Sequence, residues 1–331
     1  MLTRWVSEDL GFKGSAIAPA SSDASFRRYF RVTRGGDTFI VMDAPPDKED
    51  LAPFVEVGRI LGDIGVNVPV VLARDSARGL LLLTDLGTEL YLDALREPAR
   101  VDRLYGDALH ALREIQTADA SFSAHLPRYS DTLLMREMQL MPEWFLERHL
   151  GLDVSGQQRQ MLDELFASLV KAAESQPAAF VHRDYHSRNL LVTAQDNPGI
   201  LDFQDAVWGP VTYDLVSLLK DCYVAWPAQR VRTWVLEYRE SLLGRGFEAG
   251  SELEFLRGFD LVGLQRHIKV LGIFCRLYYR DGKPGYLKDL PRVLDYVREA
   301  AGAYPETAAF ADFIAAHVDA HFVEATLRVT P

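Results

Sequence analysis

Two short stretches of this sequence hold residues that can do chemistry together. The first is Val181-His182-Arg183-Asp184-Tyr185-His186-Ser187-Arg188-Asn189, and thirteen residues beyond Asn189 comes Asp202, in Leu201-Asp202-Phe203-Gln204-Asp205. A hydroxyl attacking a phosphoryl group must give its proton to a base, and a carboxylate such as Asp184 can receive it. Magnesium neutralises phosphates and takes hard oxygen ligands, which the Asn189 side-chain carbonyl and the Asp202 carboxylate supply. Asp184 stands five residues before Asn189, so one loop can present base and ligand together. The apolar residues flanking that loop read as short strands that return Asp202 to the side of Asn189. Asp184 and Asn189 are also ordinary turn formers, and a lone H-x-D means little. The ordered set H-x-D-x-H-x-x-N, followed by apolar-apolar-D-F, is specific.

These residues need a frame to hold them. The first third of the chain reads as a small sheet with one helix. Strands are expected over 15–20, 26–33, 38–44, 68–72 and 80–84, with a hairpin turn at Arg34-Gly35-Gly36-Asp37. Phe54, Val57, Ile60, Leu61 and Ile64 share one face of a helix over 54–64. From Tyr91 onward the pattern turns helical, with segments near 101–117, 131–149, 156–173, 213–224, 228–243, 252–279, 290–300 and 307–325. A hairpin-like insert interrupts them, with strands over 179–182, 189–193 and 199–203. The change of character falls near Asp85 to Thr88, which separates residues 1–87 from 88–331.

Composition narrows the function classes. The 331 residues are 48% hydrophobic and 25% charged, enough for a sizeable core without metal or disulfide support. A formal net charge of -11 argues against a nucleic-acid partner, which would require a basic face. A locally basic pocket for an anionic ligand remains compatible with it. Cys222 and Cys275 lie in apolar helical stretches and read as reduced core thiols. No signal peptide is visible and no apolar run approaches a membrane span, so a cytoplasmic location without membrane contact is expected.

The two motifs resemble the catalytic loop and metal aspartate of kinases. The Asp184-x-His186 step is similar to that of aminoglycoside phosphotransferases and choline kinases rather than protein kinases. The resemblance implies an α+β, bilobal protein-kinase-like fold that uses ATP and Mg2+. A small N-lobe over 1–87 would carry the nucleotide-phosphate loop and end in a hinge at Asp85 and Leu86. A larger, mainly helical C-lobe over 88–331 would hold the catalytic loop, metal site and acceptor site. It further implies that His186 braces the loop and that Asp214 buttresses it, a helix cap being the alternative for Asp214. Four further blocks resemble one subfamily: Ser22 to Val32, Val41 to Pro46, Asp202 to Pro210 and Gln265 to Phe274. It is that of the anomeric N-acetylmuramate/N-acetylglucosamine kinases of bacterial cell-wall recycling. The implied reaction moves phosphate from ATP to the carbon-1 hydroxyl of a small-molecule amino sugar. An aminoglycoside, choline or another metabolite is the alternative acceptor.

The sequence also departs from the kinase pattern. Met42 stands where a third-strand lysine would pair with the ATP phosphates. Arg28 is the candidate replacement, with Arg27, Arg31 and Lys48 as rivals, because an arginine can bind phosphate oxygens through two parallel donors. The phosphate loop has Ser22, Asp23, Ala24 and Ser25 in place of the usual glycines. Without the lysine, a nucleotide-binding pseudokinase scaffold is the reading from another class. For the acceptor, Trp208 could wall a sugar ring or fill the core. Arg266, His267, Lys269 and Arg276 lie on the 252–279 helix, where the family builds its acceptor site, although charges on a helix usually mark a solvated face.

Overall fold

A computed structural model of the chain describes residues 2–22 and 26–329. Contacts group the chain into two compact units, Met1–Ala118 with Ser187–Ala206, and Asp119–His186 with Val207–Pro331.

The first unit is built on a five-stranded antiparallel sheet. Its strands are β1 (Ala16–Ser22), β2 (Arg28–Arg34), β3 (Asp37–Asp43), β4 (Val71–Asp75) and β5 (Leu80–Thr84), in the order β1-β2-β3-β5-β4. Pro19 sits in edge strand β1, beside a register shift between Pro19 and Ser21, where a missing N–H is tolerated. The 68–72 strand begins later than expected, at Val71. Pro69 cannot donate to a ladder, and the Val70 N–H goes instead to the Thr84 hydroxyl at 2.9 Å. One sheet face buries Val32, Val41, Leu80 and Leu82 against Trp5 and Val6. Those two belong to an N-terminal helical segment, Leu2–Arg4 and Trp5–Asp9, which the sequence reading left unassigned. Helix α1 (Ala52–Ile64) buries Phe54, Val57, Ile60 and Leu61, the stripe expected from their spacing. Helix α2 (Val101–Gln116) follows in the same unit, as does the short hairpin β7 (Leu190–Leu191) and β8 (Gly199–Ile200), which we number after β6 below.

The second unit is mainly helical. It holds α3 (Asp131–Met138), α4 (Gly156–Glu174), α5 (Tyr213–Leu219), α6 (Ala228–Leu243), α7 (Glu252–Tyr279) and α8 (Leu290–Ala301). Its strand β6 (Ala178–Val181) pairs with β9 (Val207–Pro210), a strand the sequence reading did not foresee. The expected insert is therefore two separate pairings, β6 with β9 and β7 with β8.

Helix α7 is the centre of this unit. A capping box, in which Ser251 and Glu254 exchange side-chain and backbone bonds, starts it. From Leu261 to Gly272 every residue is buried, as in a helix surrounded by protein on all sides. A Cβ at Gly272 would come within 2.4 Å of the Leu140 carbonyl carbon, so only glycine permits this approach. The 131–149 segment is not one continuous α-helix: α3 ends at Met138, and a π-helical stretch, Met141–His149, begins beside Pro142. No helix among the described residues is long and apolar enough to cross a membrane.

Candidate phosphotransfer site

In the first unit, hairpin β7–β8 sets the spacing of Asn189 and Asp202, the two expected oxygen ligands. Below it the Leu201 N–H donates to the Asn189 carbonyl at 2.9 Å, which puts Asp202 one residue from the rung that holds Asn189. Asp202 adopts φ 61, a left-handed conformation that a non-glycine residue holds only when its surroundings impose it. Phe203 imposes part of it. Its ring packs 4.9 Å from Phe54, and a Cβ at Gly58 on α1 would approach it to 3.2 Å.

The Asp202 carboxylate accepts from Gln204 Nε2 at 2.8 Å and lies 4.0 Å from Arg27 Nη1. The Arg27 side chain is 10% exposed, with its Nε 3.4 Å from Glu49 Oε2. Glu49 also accepts the Phe26 N–H at 3.2 Å. Among the described residues no group of three or more His, Cys, Asp or Glu forms a metal cluster. Magnesium keeps waters and phosphate oxygens and takes one or two protein carboxylates. The carboxylate of Asp202 and the side-chain amide of Asn189 are hard oxygen donors of that kind.

Arg28, one residue later, has a different setting. Its side chain is 64% exposed and hydrogen-bonds Asp43, its cross-strand neighbour. Met42 is fully buried in the sheet. Arg31 is engaged with Asp85, at 2.6 and 3.0 Å, and with the Gly87 carbonyl. Asp85 in turn accepts the Gly87 N–H at 3.0 Å, so its carboxylate fixes the turn it occupies. Leu86 packs over Gly199, where a Cβ would meet its Cδ1 at 3.0 Å. Ser22 pairs with Arg28 at the end of β1, while Asp23, Ala24 and Ser25 lie outside the described residues.

In the second unit the loop after β6 carries Asp184. Its carboxyl is crowded by protein, which alone would raise its pKa. The charges of Lys269, and then of His186, Arg266 and Arg183, outweigh that and hold it at about 2. Asp214, at the start of α5, is fully buried and accepts the His182 N–H at 2.6 Å and the Arg183 N–H at 2.9 Å. Burial pushes the Asp214 carboxyl up to about 7, with the Asp184 charge adding to the rise and the two backbone bonds opposing it. The Asp184 N–H reaches His182 Nδ1 at 3.3 Å, and the His186 ring meets Tyr223 edge-on at 5.5 Å.

The other residues expected on the acceptor side have varied surroundings. Trp208 lies on β9, its backbone bonded to Pro127 and Tyr129. His267 Nε2 donates to the Lys220 carbonyl at 2.9 Å, and burial, with Arg266 nearby, depresses it to about 3, so it is a neutral core histidine. Arg266 is buried against Cys222 Sγ at 3.5 Å. Lys269 Nζ pairs with Glu137 Oε1 at 3.0 Å and donates to the Tyr213 hydroxyl at 3.2 Å. Arg276 is half-buried, its pKa lowered by burial and by Arg280. The burial of Arg266, His267 and Lys269 rules out a solvated helix face for those three. Glu137 and Glu49 were not singled out from the sequence. Glu137 had a signal, since it stands beside Met138 on the apolar face begun by Leu134, and a carboxylate there must find a cation.

A match to the phosphotransferase enzyme family runs over residues 16–256, and the chain belongs to that family. It is similar to the N-acetylmuramate/N-acetylglucosamine kinase of Pseudomonas putida, 45% identical over 325 residues with 95% of each chain covered. The protein of the same name from Pseudomonas aeruginosa is 47% identical over 300 residues, with 90% of this chain and 88% of that one covered. Among solved structures, the GDP complex of aminoglycoside 2'-phosphotransferase-IIIa shares the fold at a TM-score of 0.60 and 17% identity, covering 92% of this chain and 98% of that one. ADP-bound aminoglycoside phosphotransferase APH(2'')-Ib does so at a TM-score of 0.59 and 14% identity, covering 90% and 98%. The α+β, protein-kinase-like fold is thus the one these phosphotransferases share.

Proposed function

We propose that this chain transfers the γ-phosphoryl group of ATP to the anomeric hydroxyl of free N-acetylmuramate and N-acetylglucosamine. The reading is carried by the 45% identity to the Pseudomonas putida kinase across 95% of both chains. The site chemistry supports it. In the transfer, a bond forms between the sugar O1 and the γ-phosphorus while the bond from that phosphorus to the β–γ bridging oxygen breaks, and ADP leaves. Asp184 orients the O1 hydroxyl and takes its proton, and the cations around Asp184 keep it ionised and ready to accept. Asn189 and Asp202 are the residues that would hold magnesium, which supplies charge neutralisation at the phosphates. We assign the phosphate-facing cation to Arg27, which is near Asp202 and little exposed, rather than to Arg28, which is exposed on Asp43. Glu49 orients Arg27 in this scheme, as a carboxylate orients the phosphate-binding lysine of kinases.

The experiment is ADP release with ATP and magnesium against a panel of the two amino sugars, an aminoglycoside and choline. Release dependent on the amino sugars alone is expected. Release with only an aminoglycoside or choline would move the acceptor, and no acceptor-dependent release would leave the pseudokinase reading.

A further inference from the structure

Around the strained residue before the base, side chains of the second unit close a ring. Arg183 has φ 77, a conformation costly for a side-chain-bearing residue unless several contacts over-determine it. Its backbone N–H is held by Asp214, and its guanidinium hydrogen-bonds Glu137. The same Glu137 oxygen pairs with Lys269 of α7 at 3.0 Å. The other Glu137 oxygen accepts from the Tyr129 hydroxyl, which lies 3.1 Å from that of Tyr213. Lys269 reaches Tyr213 as well, at 3.2 Å, and Tyr213 is the chain neighbour of Asp214. The path from Lys269 through Glu137, Arg183, Asp214 and Tyr213 thus returns to Lys269. It joins α7, α3, the catalytic loop and α5.

Burial makes the ring exacting. Glu137 and Lys269 are 6% and 7% exposed. Burial alone would push the lysine down and the carboxyl up, yet Tyr213 and then Glu137 hold the lysine up, and Lys269 and then Arg183 hold the carboxyl down. A carboxylate shared by two cations in such surroundings holds all three groups in one arrangement, and with one cation removed it keeps a partner but loses that fixed geometry.

We propose that Lys269 is a positioning residue for the catalytic loop: through the shared Glu137 carboxylate it clamps Arg183, and so Asp184, in the reactive conformation. It does not bind the acceptor. This assigns to α7 the task of holding the base in place.

The test combines hydrogen exchange with kinetics, on the full chain. Lys269→Met leaves Glu137 paired with Arg183 and Tyr129, so the protein keeps its fold. Exchange of the amides at residues 182–184 should quicken about ten- to a hundred-fold, the worth of one charge-assisted hydrogen bond, while α4 and α6 exchange as before. Lys269→Arg should restore most of the protection. In turnover, Lys269→Met should lower kcat on the order of a hundred-fold, with the KM for sugar changed by less than about two-fold. The loss should be equal for a sugar with a carboxylate and one without. Unchanged loop exchange in Lys269→Met would overturn the proposal. So would a rise in KM confined to the carboxylate-bearing sugar, which would make Lys269 an acceptor ligand. The kinetic arm rests on the activity proposed above, and the exchange arm does not. Loop protection lost in a protein that phosphorylates no sugar would support the clamp and refute the activity.

Discussion

Asp184 and Asp202 are both carboxylates in left-handed or strained loops, but their surroundings differ. Asp184 has four cationic groups acting on it from within its own unit, Lys269, His186, Arg266 and Arg183, and the residue before it is fixed by Asp214 and Glu137. Asp202 has one arginine at 4.0 Å and a neutral glutamine amide at 2.8 Å, and its side chain is 32% exposed. The proton acceptor proposed for Asp184 works only while ionised and correctly aimed, and these groups keep it ionised and pin the backbone before it. In the role proposed for Asp202, a carboxylate must instead present its oxygens to an incoming cation. The two proposed roles predict different responses to substitution.

The sharpest way to break the comparison is to neutralise each carboxylate in turn. Asp184→Asn keeps the shape and removes the acceptor, so kcat should fall about a hundred- to ten-thousand-fold. Nucleotide affinity, measured by calorimetry, should stay within about two-fold of the parent. Asp202→Ala should do something different. Calorimetric titrations of ATP with and without magnesium should converge in this variant, because the ion loses its carboxylate, whereas the parent tightens with magnesium. An Asp184→Asn variant that lost the magnesium effect, or an Asp202→Ala variant that kept it, would exchange the roles.

The next test concerns the cation beside Asp202. Arg27→Ala should weaken ATP binding about ten- to a hundred-fold, as expected for a lost charge-assisted contact, and Arg27→Lys should recover part of it. Arg28→Ala should leave ATP binding unchanged, its cost falling on stability because the buried Asp43 carboxylate loses its partner. The reverse pattern would return the role to Arg28. The smallest effect sought is structural: Gly272→Ala forces a methyl against the Leu140 backbone and should cost about 1–3 kcal/mol in denaturant unfolding, with kcat retained.

Much of this was legible in the residues, for identifiable reasons. Period-two and period-3.6 apolar patterns located the sheet, α1 and α7, because those elements bury one face or all faces. The motif singled out Asp184, Asn189 and Asp202 because the chemistry proposed for them constrains both residue type and spacing. Elements set by tertiary contacts were not legible. Strand β9, with Val207, Trp208, Gly209 and Pro210, is too short and irregular to show a period. The expected 213–224 helix stops at Leu219, and Lys220 turns its carbonyl to His267 of a distant helix. Arg27 and Arg28 are chemically identical neighbours, and their exposure and partners, which the sequence does not show, distinguish them.

The central claim is phosphorylation at carbon 1, and phosphorus NMR of the product tests it most directly. With ATP, magnesium and free N-acetylglucosamine, the product resonance should be that of a sugar 1-phosphate, coupled to the anomeric proton. The methyl glycoside, blocked at that oxygen, should give no product. A phosphorylated methyl glycoside, formed at a rate comparable with the free sugar, would contradict the account, since transfer would then go to another hydroxyl.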